Sequence, residues 1–386
     1  MMRTHVTKRL LGVSLSAAMA LSLVPAALAV EADGSGHWAE TAVAGFAQAG
    51  YLKADAAGSV QPDAVLTQAQ FADLFNSVAG VDAGDSEVSK GLTAADSAVT
   101  RELAFSLVAR YLKAEAADGS ALAAFEDAGD VAAADRGALA GMVAAGYLTG
   151  CEGRLMPQKT LTLAEAVVAL ERAKAAVQKV GADKFQAAVS GTYEELFPVT
   201  NAAAYTDYWN EMCAKFVGTD KAADTAKALQ ASTGGTLSGA AAEEAYAKDP
   251  SAIQFDCNFH EGVDQFTFAS ADGQFTIGGV DDKGQSVFSH AYDFVGNIDV
   301  EGTSAYEYKS ADADSGAFTY FVMLPDTPES THHIEFRYGG DVSDMNSFYT
   351  GSCAYWLAAG IQVDADDAYV KQAIELYCTE NLSSEG

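Results

Sequence analysis

Two hydrophobic textures divide the chain. Over residues 36–175 the apolar positions are mostly Ala, Leu and Val, recurring three and four apart, with Gly and Pro at the breaks. That spacing predicts amphipathic helices. From about residue 250 the period drops to two. "SAIQFDCNF", "VDQFTFAS", "GQFTIGGV", "SVFSHAYDF", "TSAYEYKS", "AFTYFVML" and "HHIEFRYG" alternate Phe, Tyr, Ile and Val with polar residues. Gly and Asp-Gly separate them at hairpin intervals, which predicts an antiparallel sandwich or barrel. Between the two textures, 176–249 is predicted helical, with "AAYTDYWNEMCAKF" its clearest amphipathic piece and "ASTGGTLSGAA" a loop. The break near 175–185 is the expected domain boundary.

The helical half repeats itself. Gly50-Tyr51-Leu52 recurs as Gly146-Tyr147-Leu148, Pro62 as Pro157, and Leu66-Thr67 as Leu161-Thr162. A shorter copy, "SAVTRELAFSLVARYL", supplies Val99-Thr100 half-way between them. Each unit reads as helix, glycine turn, proline-bearing link and a Thr-capped second helix.

With His37-Trp38-Ala39 at its start, the Gly-Tyr-Leu to Pro spacing and the Thr-Arg-x-x cap segment, this region resembles the S-layer homology family. The expected units are 36–80, a truncated 81–118, and 125–175. The resemblance implies an all-α bundle of three repeats that holds an exported protein on a secondary cell-wall polymer of the peptidoglycan. The family's cap arginine falls on Gln68, Arg101 and Leu163. Arg101, with Thr100 and Trp38, is therefore the expected polymer contact, and the loss of two arginines implies weakened attachment.

Charge narrows the partners. Lys and Arg total 23 against 53 Asp and Glu, a formal net charge of -30. Such a surface repels nucleic acid and anionic lipid. The first 29 residues carry only positive charge (Arg3, Lys8, Arg9), then an apolar run ending in Ala27-Leu28-Ala29. They read as a signal peptide, with a secreted, cell-surface product and no membrane span after cleavage. The five cysteines, Cys151, Cys213, Cys257, Cys353 and Cys378, show no CxxC spacing. That disfavours a cysteine zinc site and leaves any disulfide pairing open. There is no nucleophile elbow, P-loop or HExxH, so binding rather than catalysis is expected.

In the second half, "VSGTYEELFP", "YAKDPSAIQFDCNF", "HAYDFVGNID", "YEYKSADADSGAFTYFVML" and "HHIEFRYGGD" run in the order of the ZinT family, which 185–385 resembles. The resemblance implies a mainly antiparallel, calycin or lipocalin-like barrel with flanking helices that binds zinc or a related divalent metal. The family's three ligand positions fall on Leu324, His333 and Glu335. His333 and Glu335 are two apart on a strand and share a face, so both can meet one ion. Asp326 is a nearby oxygen donor. His332 is the alternative third metal ligand, provided the strand bulges, since it is expected on the opposite face with Ile334 and Phe336; His260 and His290 lie on other strands. The rival reading is a structural or adhesive surface protein, or a small-ligand binder, whose barrel has lost the metal.

Overall fold

The computed structural model describes residues 36–52, 60–81, 84, 86–237, 239–248, 256–300, 303–343, 345 and 357–383. The expected signal segment, Cys353 and residues 251–255 of the first expected strand lie outside them. Tertiary contacts split the chain into two units between Gly181 and Ala182, inside a helix. Among the described residues no helix is long and apolar enough to cross a membrane.

The N-terminal unit contains α1 (Glu40–Gln48), α2 (Gln68–Ala79), α3 (Glu87–Gly91), α4 (Arg101–Tyr111), α5 (Arg136–Ala144) and the first part of α6 (Leu163–Ala188). α3 is five residues long. The repeated cap segments close on one another in a ring. The amide of Leu66 donates to the Leu161 carbonyl, Leu161 to Val99, and Val99 back to Leu66, at 2.9–3.0 Å. Running the other way, Gln68 donates to Ser97, Arg101 to Lys159 and Leu163 to Ala64. Ala69 donates to Ala95, Glu102 to Pro157 and Ala164 to Pro62 in a third cycle. The first amides of α2, α4 and α6 have no partner within their own helices, and the neighbouring copy satisfies them. Thr67, Thr100 and Thr162 complete the caps by accepting from the amides of Gln70, Leu103 and Glu165. Beneath the ring, Phe71, Phe75, Phe105, Val108, Leu139, Leu161 and Val167 fill one apolar core.

The C-terminal unit is an eight-stranded antiparallel barrel whose strands pair in chain order and close between first and last. They are β1 (Gly191–Glu195), β2 (Gln265–Ala271), β3 (Gln274–Val280), β4 (Ser286–Val300), β5 (Thr303–Ser310), β6 (Tyr320–Met323), β7 (Ile334–Gly339) and β8 (Ala358–Gln362). Alternation sends Tyr193, Phe266, Phe268, Phe275, Tyr308, Phe321, Ile334 and Phe336 inward, where they are buried in one core. Ala182, Phe185 and Val189 at the end of α6 join that core, and Phe185 stacks on Tyr306 with ring centroids 4.3 Å apart. The interior is thus filled by side chains. Outside the barrel, α7 (Leu196–Thr200), α8 (Thr206–Val217), α9 (Thr219–Ser232) and α11 (Asp367–Leu382) form a helix layer, and α10 (Gly239–Lys248) follows α9 in the chain. Leu196, Trp209, Cys213, Leu229, Ile374 and Cys378 from this layer pack with Ala359 and Ile361 of β8. The described part of the first expected strand, Asp256–Phe259, is not one of the barrel's strands: it forms an isolated bridge, Asp256 to Gly234, and its Cys257 carbonyl accepts from the Ala359 amide of β8 at 3.2 Å.

Two glycines test the helical packing. A Cβ on Gly141 of α5 would overlap the Ala114 carbonyl and lie 2.6 Å from its carbon. Gly141→Ala is expected to destabilise the N-terminal unit by about 3 kcal/mol through overpacking. Gly45, exposed on α1 with nothing near its missing Cβ, should instead gain about 0.5–1 kcal/mol on change to Ala. Urea unfolding of both variants checks the contrast.

Candidate metal centre

Strand β7 holds the site. Its inward residues Ile334 and Phe336 are fully buried in the aromatic core. Glu335 therefore faces outward, paired across the sheet with Ala359, which belongs to the helix-covered core. Glu335 is 8% exposed and His333, just before the strand, 7%. Asp326 completes a group in which one donor atom from each residue lies within 4.8 Å of the others. Among the described residues this is the one such group.

The segment leading into β7 sets the histidine. Thr327 to Thr331 form a turn in which the amides of Ser330 and Thr331 both donate to the Thr327 carbonyl. His332 then takes a left-handed φ of 63°, a conformation few non-glycine residues adopt. Its ring packs edge-on against Tyr369 of α11, with centroids 5.2 Å apart, and the Tyr369 hydroxyl donates to the Pro328 carbonyl. The left-handed step takes His332 off the strand. The expectation that it shares the inward face with Ile334 and Phe336 is corrected, and it lies outside the three-donor group.

His333 Nδ1 lies 2.8 Å from the Thr331 carbonyl oxygen. A carbonyl only accepts, so Nδ1 carries the proton and Nε2 presents its lone pair. Nε2 is 3.4 Å from Glu335 Oε1. Two donors on one tetrahedral zinc, with bonds near 2.0–2.1 Å, lie about 3.3–3.5 Å apart. Metal-ligating histidines have their tautomer and ring orientation fixed by a contact of this kind on the other nitrogen. The residues therefore fit a divalent ion bound by one imidazole nitrogen and two carboxylates, with water completing the shell.

Surrounding groups shape the field. Leu324 donates its amide to the Glu335 carbonyl, so it is the residue opposite Glu335 on β6's extension, and its side chain is buried with Val300, Val322 and Met345. It brings no donor to the cluster. Tyr377 of α11 is buried, and burial first, with the Glu335 carboxylate among its charged neighbours, holds its phenol well above the usual range. Sequence reasoning missed Tyr369, Tyr377 and the Thr331 carbonyl. The helical period of 367–382 after Asp366 was the available signal for the first two.

His260 and His290 are engaged elsewhere. His290 Nδ1 lies 2.8 Å from Asp312 Oδ2, and His260 Nε2 lies 2.7 Å from Asp256 Oδ2.

The expected polymer contacts divide. Trp38 is 64% exposed, beside His37. Thr100 spends its hydroxyl capping α4. Arg101 is 6% exposed; its Nε donates to the Leu155 carbonyl at 2.8 Å and its Nη1 lies 3.1 Å from Glu165 Oε1. Burial works against the guanidinium charge, and Glu165 leads the groups that restore it. The expectation of a surface arginine is corrected: Arg101 is an internal tie between two cap segments.

Residues 32–72 match the family model of the S-layer homology domain. Two solved structures from Streptococcus pneumoniae are similar. One is the Zn(II)-bound ZinT-like domain of AdcA, 15% identical over 48% of this chain and 87% of that one, with a TM-score of 0.31. The other is Zn(II)-bound AdcA, 14% identical over 57% of this chain and 49% of that one, with a TM-score of 0.30. Neither likeness is close enough to bear on function. No curated protein matches the chain.

The His260–Asp256 pair yields a pH prediction. Its hydrogen bond to Asp256 raises His260 above the ordinary 6.5. Burial opposes the Asp256 charge, but the bonds from His260 and Asn258 outweigh it and hold that carboxyl below its usual range. Stability from the raised histidine is present below about pH 6.5 and lost as pH rises through its folded pKa. Stability from Asp256 is lost only as pH falls through its lowered pKa. His260→Gln should cost at most about 1 kcal/mol in mildly acidic buffer, because the histidine is half exposed. The cost should shrink as pH rises, measured by urea unfolding across that range.

Proposed function

We propose that this chain is a cell-surface metal-binding protein. Its N-terminal region, read as three S-layer homology repeats in a helical bundle, attaches to an anionic cell-wall polymer after export. Its calycin-like barrel binds a divalent ion, zinc best, at Asp326, His333 and Glu335. The observation that carries the metal assignment is the buried His333 Nε2 held 3.4 Å from Glu335 Oε1 by the Thr331 carbonyl. Nitrogen with two carboxylates suits zinc, and thiolate-preferring ions are poorly served. His333 and Glu335 are both buried and the helix layer lies on their side of the sheet. That placement favours storage or capture of an ion over catalysis on a substrate.

Zinc at about a hundredfold excess over Kd should stabilise the barrel by about 2.7 kcal/mol. Calorimetric titration and melting of the full chain test this. His333→Ala and Glu335→Gln should abolish both signals, whereas His332→Ala should keep them. Binding should weaken on acidification because protonated imidazole cannot ligate. Zinc binding that survives His333→Ala would place the metal elsewhere.

For attachment, the exposed Trp38 is the residue to change. An aromatic face against a sugar is worth about 1 kcal/mol or more, so Trp38→Ala should weaken pull-down on purified cell-wall sacculi several-fold. Arg101→Ala should act through folding instead, since it leaves Glu165 less compensated in the interior. Undiminished pull-down by Trp38→Ala would remove this residue from the contact.

A further inference from the structure

We infer that Cys213 of α8 and Cys378 of α11 form a disulfide when the chain folds in an oxidising setting. Both side chains are fully buried, and both belong to the core that joins the helix layer to β8. α8 and α11 pack directly on one another. Contacts on either side bracket the two cysteines: the Trp209 and Tyr377 rings lie 5.9 Å apart and Lys215 Nζ lies 3.8 Å from Glu375 Oε1. Both cysteines are free thiols in this structure, and Cys257 is a third one buried in the same core. A bridge needs Cα atoms within about 7 Å, which helices in direct contact can provide.

In the balanced step, the Cys213 thiolate attacks an external disulfide such as oxidised glutathione and expels one thiolate, leaving a mixed disulfide. Cys378 loses its proton to solvent and displaces the second thiol, closing the Cys213–Cys378 bond. Two electrons pass to the external disulfide, which leaves as two thiols. Because both sulfurs are buried in the folded chain, the first attack precedes docking of α11 on α8.

The bond closes a long loop, and cross-links of that kind restrict the unfolded chain most. It also fixes α11 next to Tyr377 and nine residues beyond Tyr369, the two tyrosines described around the donor group. The inference does not rest on metal binding, and its test contains no metal.

Trypsin places each of the five cysteines on its own peptide, with Cys213 in the one ending at Lys215 and Cys378 in the one following Lys371. The full chain is refolded with oxidised and reduced glutathione, quenched with acid, alkylated and mapped without reduction. The Cys213 and Cys378 peptides should appear linked. Reductant should lower the melting temperature of the wild type by roughly 5–10 °C. The double variant Cys213→Ser, Cys378→Ser should melt at the reduced value and ignore reductant. Alkylation of both peptides as free thiols, or linkage of either to the peptide of Cys151, Cys257 or Cys353, would overturn the inference. The wild-type map alone decides this if the variant fails to fold.

Discussion

On β7, Ile334 and Phe336 must enter a closed barrel, and that requirement fixes the other face of the strand. Successive side chains alternate, so Glu335 is driven outward by the same packing that draws its neighbours in. Around Phe336 the interior is lined by rings: Phe266, Phe268, Phe321 and Phe336 meet there with ring centroids 5.0–6.5 Å apart. A one-residue slip of β7 would bury the carboxylate among those rings and expose two large apolar side chains. The aromatic core thereby holds the register that places the polar donors. They sit in the seam between sheet and helices, where burial is high and hydrogen-bonding partners are still within reach.

The helical unit solves a different problem with backbone alone. Each second helix begins with amides that its own turns cannot satisfy. The three cap segments exchange those bonds in cycles, so each copy completes its neighbour. Arg101 follows from this geometry. At the start of α4 it points into the junction, where the Leu155 carbonyl and Glu165 take its donors. In the first copy the equivalent Gln68 accepts from the amide of Ala94, a shorter tie of the same kind. The third copy carries an apolar residue, Leu163, in its place.

Much of this was legible in the chain. The period-two runs became β2 to β7, and the repeat of Pro62 with Leu66-Thr67 marked the segments that form the ring. β1 and β8 were not legible as strands. "AAGIQ" has no polar alternation because both its faces are covered, its inner one by the aromatic core and its outer one by α7, α8 and α11. The pairing of His333 with Glu335 followed from spacing, but the exclusion of His332 did not. It depends on a left-handed φ that the turn 327–331 imposes, and no periodicity encodes that. Arg101 misled for a related reason: charge suggests a surface, whereas a guanidinium with fixed carbonyl and carboxylate partners is stable inside.

Charge gives the last step of synthesis at the donor group. Two carboxyl groups and an imidazole meet in a region where His333 and Glu335 are nearly closed to water. On the proposed reading, one divalent cation would satisfy three donors at once. The whole chain carries thirty more acidic than basic residues, and such an excess attracts cations at low ionic strength. On the proposed reading, leucine at 324 brings no third imidazole, so zinc would be held more weakly than in a site closed by one.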